Sequence, residues 1–192
     1  RKKVCRFCEN PEIKIDYKEL KTLAIRRRSV RWFLQRKVPR NKIDQALKIA
    51  TLSPSACNRQ AYEFRVYDNP EYIDKISELS IGVSGYRKNI PCIVVIVGKH
   101  CAYSNERDRH LIYIDSSLAA MSFQFALETL SLSSTCINWP AISQSEKRIH
   151  DLLELDEYEQ VIMLLAIGYP DPDGLIPFSQ KKELDSIRSF NK

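Results

Sequence analysis

The stretch SPSACNRQAYEFRVYDNPE, residues 53–71, carries a helix stop, a polar turn, a strand and a helix start in close succession. Pro54 halts the helical spacing of Ile43, Leu47 and Ala50, because the residue before a proline is driven out of the helical region. Phe64, Val66 and Tyr67 then read as a short strand. Asn69, Pro70 and Glu71 read as a cap, a first-turn proline and an acidic first turn. Between stop and strand lies Ser55-Ala56-Cys57-Asn58-Arg59-Gln60. That turn holds more hydrogen-bonding side chains than a plain connection needs.

Outward from this stretch the same alternation continues. Asp16 and Glu19 have capping-box spacing for a helix to about Arg27. Val30 to Val38 reads as a connection, and Pro39 opens the helix that Pro54 ends. Pro70 starts a helix to about Leu79, and Gly82 and Gly85 punctuate the loop after it. Cys92–Gly98, CIVVIVG, is a continuous β-branched run, the mark of a strand buried on both faces. A long helix spans about Asp108 to Leu132. Leu111, Ile114, Leu118, Met121 and Phe125 form one apolar stripe on it, and Ile112, Ala119, Phe123, Ala126 and Leu130 add others. A helix apolar nearly all round is central to its domain or buried in an oligomer. Thr135–Trp139 reads as a strand, Ser143 to Leu153 as a helix capped by Ser143 and Glu146, and Val161–Gly168 as a second doubly buried strand. Pro170, Pro172 and Gly174 then break regular structure. The tail, Leu175 to Lys192, is too short and polar for a core of its own and is expected to wrap over this subunit or a neighbour. Taken alone, the alternation predicts three layers around a parallel, doubly wound sheet.

The 192 residues, 44% hydrophobic, fit one globular domain. No apolar run reaches membrane-spanning length and no secretory pattern appears. The chain begins at Arg1, so an upstream segment is expected to be missing. Six cysteines without a disulfide framework point to a reducing cytoplasm. Cys92 and Cys136 sit in apolar runs and read as small core residues. Cys5 and Cys8 have metal-site spacing, but a closed zinc site needs four ligands and no second such pair exists. The net charge of +6 favours anionic partners.

Five glycines form no Gly-x-Gly-x-x-Gly turn and no P-loop. A phosphorylated cofactor would therefore be held by side chains. Arg27, Arg28, Ser29 and Arg31 offer charge-assisted donors for a phosphate. Ser55, Asn58 and Gln60 suit a polyol chain or the polar edge of a heterocycle. His100, His110 and His150 form no metal motif, and no Ser–His–Asp arrangement can be read. No acid–base or nucleophilic catalytic residue is expected.

From Ile15 to Asn191 the chain resembles the nitroreductase-like family of FMN-dependent oxidoreductases. The resemblance is carried by Arg27 to Arg31, Ser53 to Gln60, Thr135 to Trp139, Leu165 to Pro170 and Lys181 to Leu184, in that order and spacing. It implies an α+β fold, three layers α/β/α, with a mixed, mostly antiparallel sheet in an intertwined homodimer. The domain would occupy 15–192, behind an amino-terminal basic segment, 1–14. The resemblance places the FMN phosphate and ribityl chain on Arg27, Arg28, Ser29 and Arg31. It places Pro54, Ser55, Asn58 and Gln60 against the flavin from the partner subunit, and Cys136, Asn138 and Trp139 near its ring system. A late basic residue, Lys181 here, would complete the phosphate site, where the family more often has arginine. The implied reaction passes electrons from NAD(P)H to a small organic acceptor by a ping-pong mechanism.

Two alternatives stand beside this. The same fold and cofactor serve reductive dehalogenation or flavin breakdown in some relatives, with segments 80–90 and 99–110 expected to shape the substrate side. Alternatively, the first twenty or so residues resemble the start of a small bacterial ribosomal protein, which would imply RNA or metal binding through the Cys5/Cys8 segment.

Overall fold

The structure, a computed structural model, describes residues 17–191. Helix α1 (Tyr17–Arg26) is followed by an extended segment, then α2 (Arg40–Ala50), strand β1 (Tyr62–Tyr67) and α3 (Pro70–Leu79). Strand β2 (Cys92–Lys99), the long α4 (Leu111–Thr129), β3 (Ser133–Asn138), α5 (Ser143–Leu153) and β4 (Glu159–Gly168) complete the core, and a single-turn helix α6 (Leu184–Ile187) lies in the tail. Asp16, the first half of the expected cap on α1, lies outside the described residues, as do Cys5 and Cys8. Asn69 caps α3 as read, accepting from the Glu71 amide at 2.9 Å. The expected Ser143/Glu146 box does not form. Glu146 instead accepts from the Trp139 indole N–H at 2.8 Å, because a buried indole donor needs a partner more than a solvated helix end does.

The four strands run in the order β1-β2-β4-β3, and every pair is antiparallel. This corrects the parallel sheet expected from alternation alone. A β-branched run such as β2 reports burial on both faces, and that burial is present from Cys92 to Gly98. It carries no information on strand direction. The connections decide direction: α3 and α5 each return the chain beside the strand it left, and α4 carries it past β4 to the far edge.

Two cores sandwich the sheet, which makes the three layers. On one face Ile73, Ile76, Ile149 and Leu153 of α3 and α5 pack on Ile93, Val95, Val97 and Leu164. On the other, Ile43, Ala46 and Ala50 of α2 and Ile112, Phe123 and Leu127 of α4 pack on Val94, Ile96, Leu165 and Ile167. The apolar stripe singled out on α4 does not supply this contact. Ile112, Ala119, Phe123 and Ala126 face inward, while Ile114 (48% exposed) and Leu118 (42%) face solvent with Met121. Exposed Ile49 and Leu52 belong to the α2 end that packs on α4, where Ser53 bonds to Ser122 at 2.7 Å.

The segment after α1 extends the sheet. Ser29 bridges Ser134 in parallel and Phe33 bridges Pro170 in antiparallel. Two glycines permit this packing. A Cβ at Gly168 would lie 2.9 Å from the Phe33 ring, and one at Gly174 would lie 2.7 Å from Trp32 Cβ. The chain therefore doubles back along residues 32–34 after β4, and this return carries the tail to the first basic segment.

Candidate functional site

Arg27 continues α1 by one backbone bond, to Leu23. The Val30 amide then donates to Ser134 O at 3.1 Å, which ties residues 27–31 to the β3 edge. A pocket of about 160 Å³ opens there, lined by Arg27, Arg28, Ser29 and Arg31 and, from the tail, by Ile176–Ser179 and Lys181. All its charged side chains are cationic. Arg31 is braced against the ring of buried Tyr86, 5.8 Å from the centroid. Lys181 Nζ donates to Ser179 Oγ at 3.2 Å. Residues more than a hundred positions apart thus form one small, cation-lined pocket, whose charge suits a phosphate group.

Cys136 lies close by on β3. It is exposed, which corrects its reading as a core cysteine: past the Ser134 bridge to Ser29, the outward alternate positions Cys136 and Asn138 at the end of β3 escape burial. The atoms packed about its sulfur still push the thiol pKa up, opposed by the Gln124 hydrogen bond and by the Arg27 charge. Buried Cys92 matches its reading, with its thiol pushed up to about 12 by burial. Trp139 is buried, with its indole N–H committed to Glu146. A ligand near it would meet backbone rather than ring.

Pro54, Ser55, Asn58 and Gln60 sit elsewhere, beside the amino-terminal half of α4, and none of them lines the cationic pocket. Their turn is strained. Cys57, Asn58 and Gln60 all have positive φ, at 52°, 54° and 51°, a region that costs a non-glycine residue roughly 1–2 kcal/mol. The Gln60 amide donates to Ser55 Oγ at 3.1 Å and its side chain to Asn58 Oδ1 at 3.3 Å. Arg59 donates to Ala102 O at 2.7 Å. The Ala56 amide donates to both oxygens of Asp115, each at 3.2 Å, and Tyr103 Oη donates to Asp115 Oδ2 at 2.7 Å. Burial, with that bond next, raises the Tyr103 pKa. The sequence reading names Arg59 in the turn without giving it a role, and it singles out neither Asp115 nor Tyr103. The available signal was Asp115 itself, the one carboxylate in the first half of a largely apolar helix.

Of the two segments expected to border the substrate, 99–110 contributes Ala102 and Tyr103 to clasping this turn. Ser84–Asn89 instead line a separate cavity of about 340 Å³ with Trp32. No helix among the described residues is long and apolar enough to cross a membrane.

The Nitroreductase family model matches residues 24–83 and 88–169. Iodotyrosine deiodinase 1 of Pongo abelii is 24% identical over 88% of this chain and 68% of that protein. A Methanothermobacter thermautotrophicus protein named for NADH dehydrogenase/NAD(P)H nitroreductase activity is 27% identical over 75% of this chain and 73% of its own length. Among solved structures, an FMN-dependent nitroreductase of Clostridium difficile superposes with a TM-score of 0.72 at 26% identity, covering 86% of this chain and 95% of that one. A nitroreductase family protein of Streptococcus pneumoniae gives 0.78 at 19% identity, over 90% and 100% of the two chains, and shares the fold.

Proposed function

The chain belongs to the nitroreductase family, and from that premise we propose that it is a homodimeric FMN oxidoreductase that passes electrons from NAD(P)H to a small organic acceptor such as a nitroaromatic or a quinone. The observation that carries the proposal is the convergence of Arg27, Arg28, Ser29, Arg31 and Lys181 on one pocket with no carboxylate in its lining. The pocket is large enough for a phosphate and the start of a ribityl chain, and its donors fit that group. FMN held by these side chains would supply the two-electron chemistry that links nicotinamide and acceptor in ping-pong order.

The residues of this chain bind and orient. Arg27, Arg28 and Arg31 neutralise the phosphate, with Lys181 as a point charge where a guanidinium would grip two oxygens. Ser55, Asn58 and Gln60 line the flavin from the other subunit, and Cys136, Asn138 and the backbone at Trp139 border its ring. Two observations support the homodimer. The turn bearing Ser55 to Gln60 stands apart from the cationic pocket of the same chain. The exposed stripe on α4 and the exposed tail residues Leu175, Phe178 and Phe190 present apolar surface that a second copy would cover. Free thiols at Cys57, Cys92, Cys101 and Cys136 support a cytoplasmic setting.

Reductive dehalogenation is the second reading, favoured by the deiodinase relatives. The alignment with the Pongo abelii protein runs over 201 positions to cover 88% of this 192-residue chain, so it carries insertions that this chain lacks. The archaeal alignment, 147 positions over 75%, is nearly free of them.

The test is anaerobic stopped-flow mixing of the FMN-loaded protein with NADH and with NADPH, then with a quinone or nitroaromatic. Bleaching of the flavin bands within seconds and their return with acceptor are expected. Protein that takes up no FMN overturns the proposal. Flavin that dithionite bleaches but neither nicotinamide does moves dehalogenation ahead.

A further inference from the structure

Asp115 is 2% exposed. A carboxylate so buried is destabilising unless it is hydrogen-bonded. Asp115 spends its bonds on two elements distant in sequence, the Ala56 amide and the Tyr103 hydroxyl. Ala56 opens the turn in which Cys57, Asn58 and Gln60 adopt left-handed backbone. A run of such residues persists only where its surroundings over-determine it.

The restraints on this turn form a set. Asp115 holds its start from below, and Arg59 holds its middle to Ala102 O. Arg59 also lies 5.8 Å over the Tyr103 ring, so one tyrosine contacts both the anchor and the turn. Ser55 Oγ receives the Gln60 amide, which closes the loop on itself. The side chains of Asn58 and Gln60 remain exposed above this clasp.

We propose that Asp115, with Tyr103, is a positioning residue that presets the 55–60 turn, so that the turn meets the flavin already in its bound shape. The inference rests on the FMN reading above for the identity of the ligand, though the lock itself belongs to the free protein. Preorganisation of this kind raises affinity because ordering is completed before binding. The turn needs no glycine because the clasp, rather than backbone permissiveness, selects its conformation.

The experiment compares wild type, Asp115→Asn and Tyr103→Phe. Tyr103→Phe is the milder change should the first fold poorly. Three quantities are read: FMN affinity by flavin fluorescence titration, melting of the flavin-free protein, and amide hydrogen exchange across 55–60. Loss of one charge-assisted bond should weaken FMN roughly tenfold or more and speed exchange at the Ala56 amide, with flavin-free melting little changed. Gln60→Ala should then weaken FMN less in the Asp115→Asn background than in wild type, since the turn is already displaced. Unchanged FMN affinity in both variants overturns the inference. So does affinity that falls only in step with melting, with no local change in exchange, which is the result of a purely structural role. Wild-type protein that binds no FMN defeats the cofactor reading instead, and exchange at 55–60 alone then decides whether the lock exists.

Discussion

Arg27→Ala isolates the phosphate half of the site. Four cations, Arg27, Arg28, Arg31 and Lys181, line a pocket of about 160 Å³ without a carboxylate. A charge-assisted hydrogen bond to phosphate contributes about 1.5–3 kcal/mol, so the variant should bind FMN about 10- to 150-fold more weakly. Two further expectations separate this from general damage. Removing one of several like charges relieves repulsion in the flavin-free protein and offsets the loss of Arg27's pull on buried Glu128, so its melting temperature should change little. Riboflavin, which has the same ring system and ribityl chain but no phosphate, should bind wild type and variant alike. The assay is fluorescence titration with FMN and riboflavin at low and high salt, and the FMN gap should narrow at high salt because the pocket is open to screening ions. Equal weakening of both ligands, or of neither, refutes the reasoning.

Leu118→Glu places a charge in the exposed stripe of α4. Wild type should sediment at twice 22.3 kDa at micromolar concentration, and the variant as a monomer with weakened FMN binding; a wild-type monomer that binds FMN refutes the shared site. Glu128, 4% exposed and with Oε1 unpartnered, has its carboxyl pKa raised, chiefly by burial and against the pull of Ser133, Arg26 and Arg27. A raised carboxyl pKa means the native state holds the proton more tightly, so this group's contribution declines as pH rises above about 4.5, through the native pKa. Glu128→Gln should remove that decline and melt no lower than wild type at pH 8; a lower melting temperature there shows that the 3.6 Å contact with Arg26 outweighs the burial.

Periodicity and punctuation sufficed for the existence and order of the elements, because capping, proline placement and side-chain alternation act within a few residues. Asn69 with Pro70 marked the start of α3, and the CIVVIVG run marked a strand buried on both faces. The absence of glycine-rich phosphate loops and the order of five short motifs pointed to the family that the matched residues 24–83 and 88–169 place it in. Strand direction, the outward aim of Ile114, Leu118 and Met121, and the exposure of Cys136 were decided in three dimensions. Each depends on which element lies alongside, and local pattern does not encode that neighbour. The joining of Lys181 to Arg27 depends on Gly168 and Gly174 letting the chain pack back on Phe33 and Trp32. The clasp of Asp115 on the 55–60 turn joins positions 59 residues apart. Such contacts exist only once the hydrophobic cores have brought α4 against α2, so the tertiary structure alone shows why an ordinary-looking aspartate stands in an apolar helix.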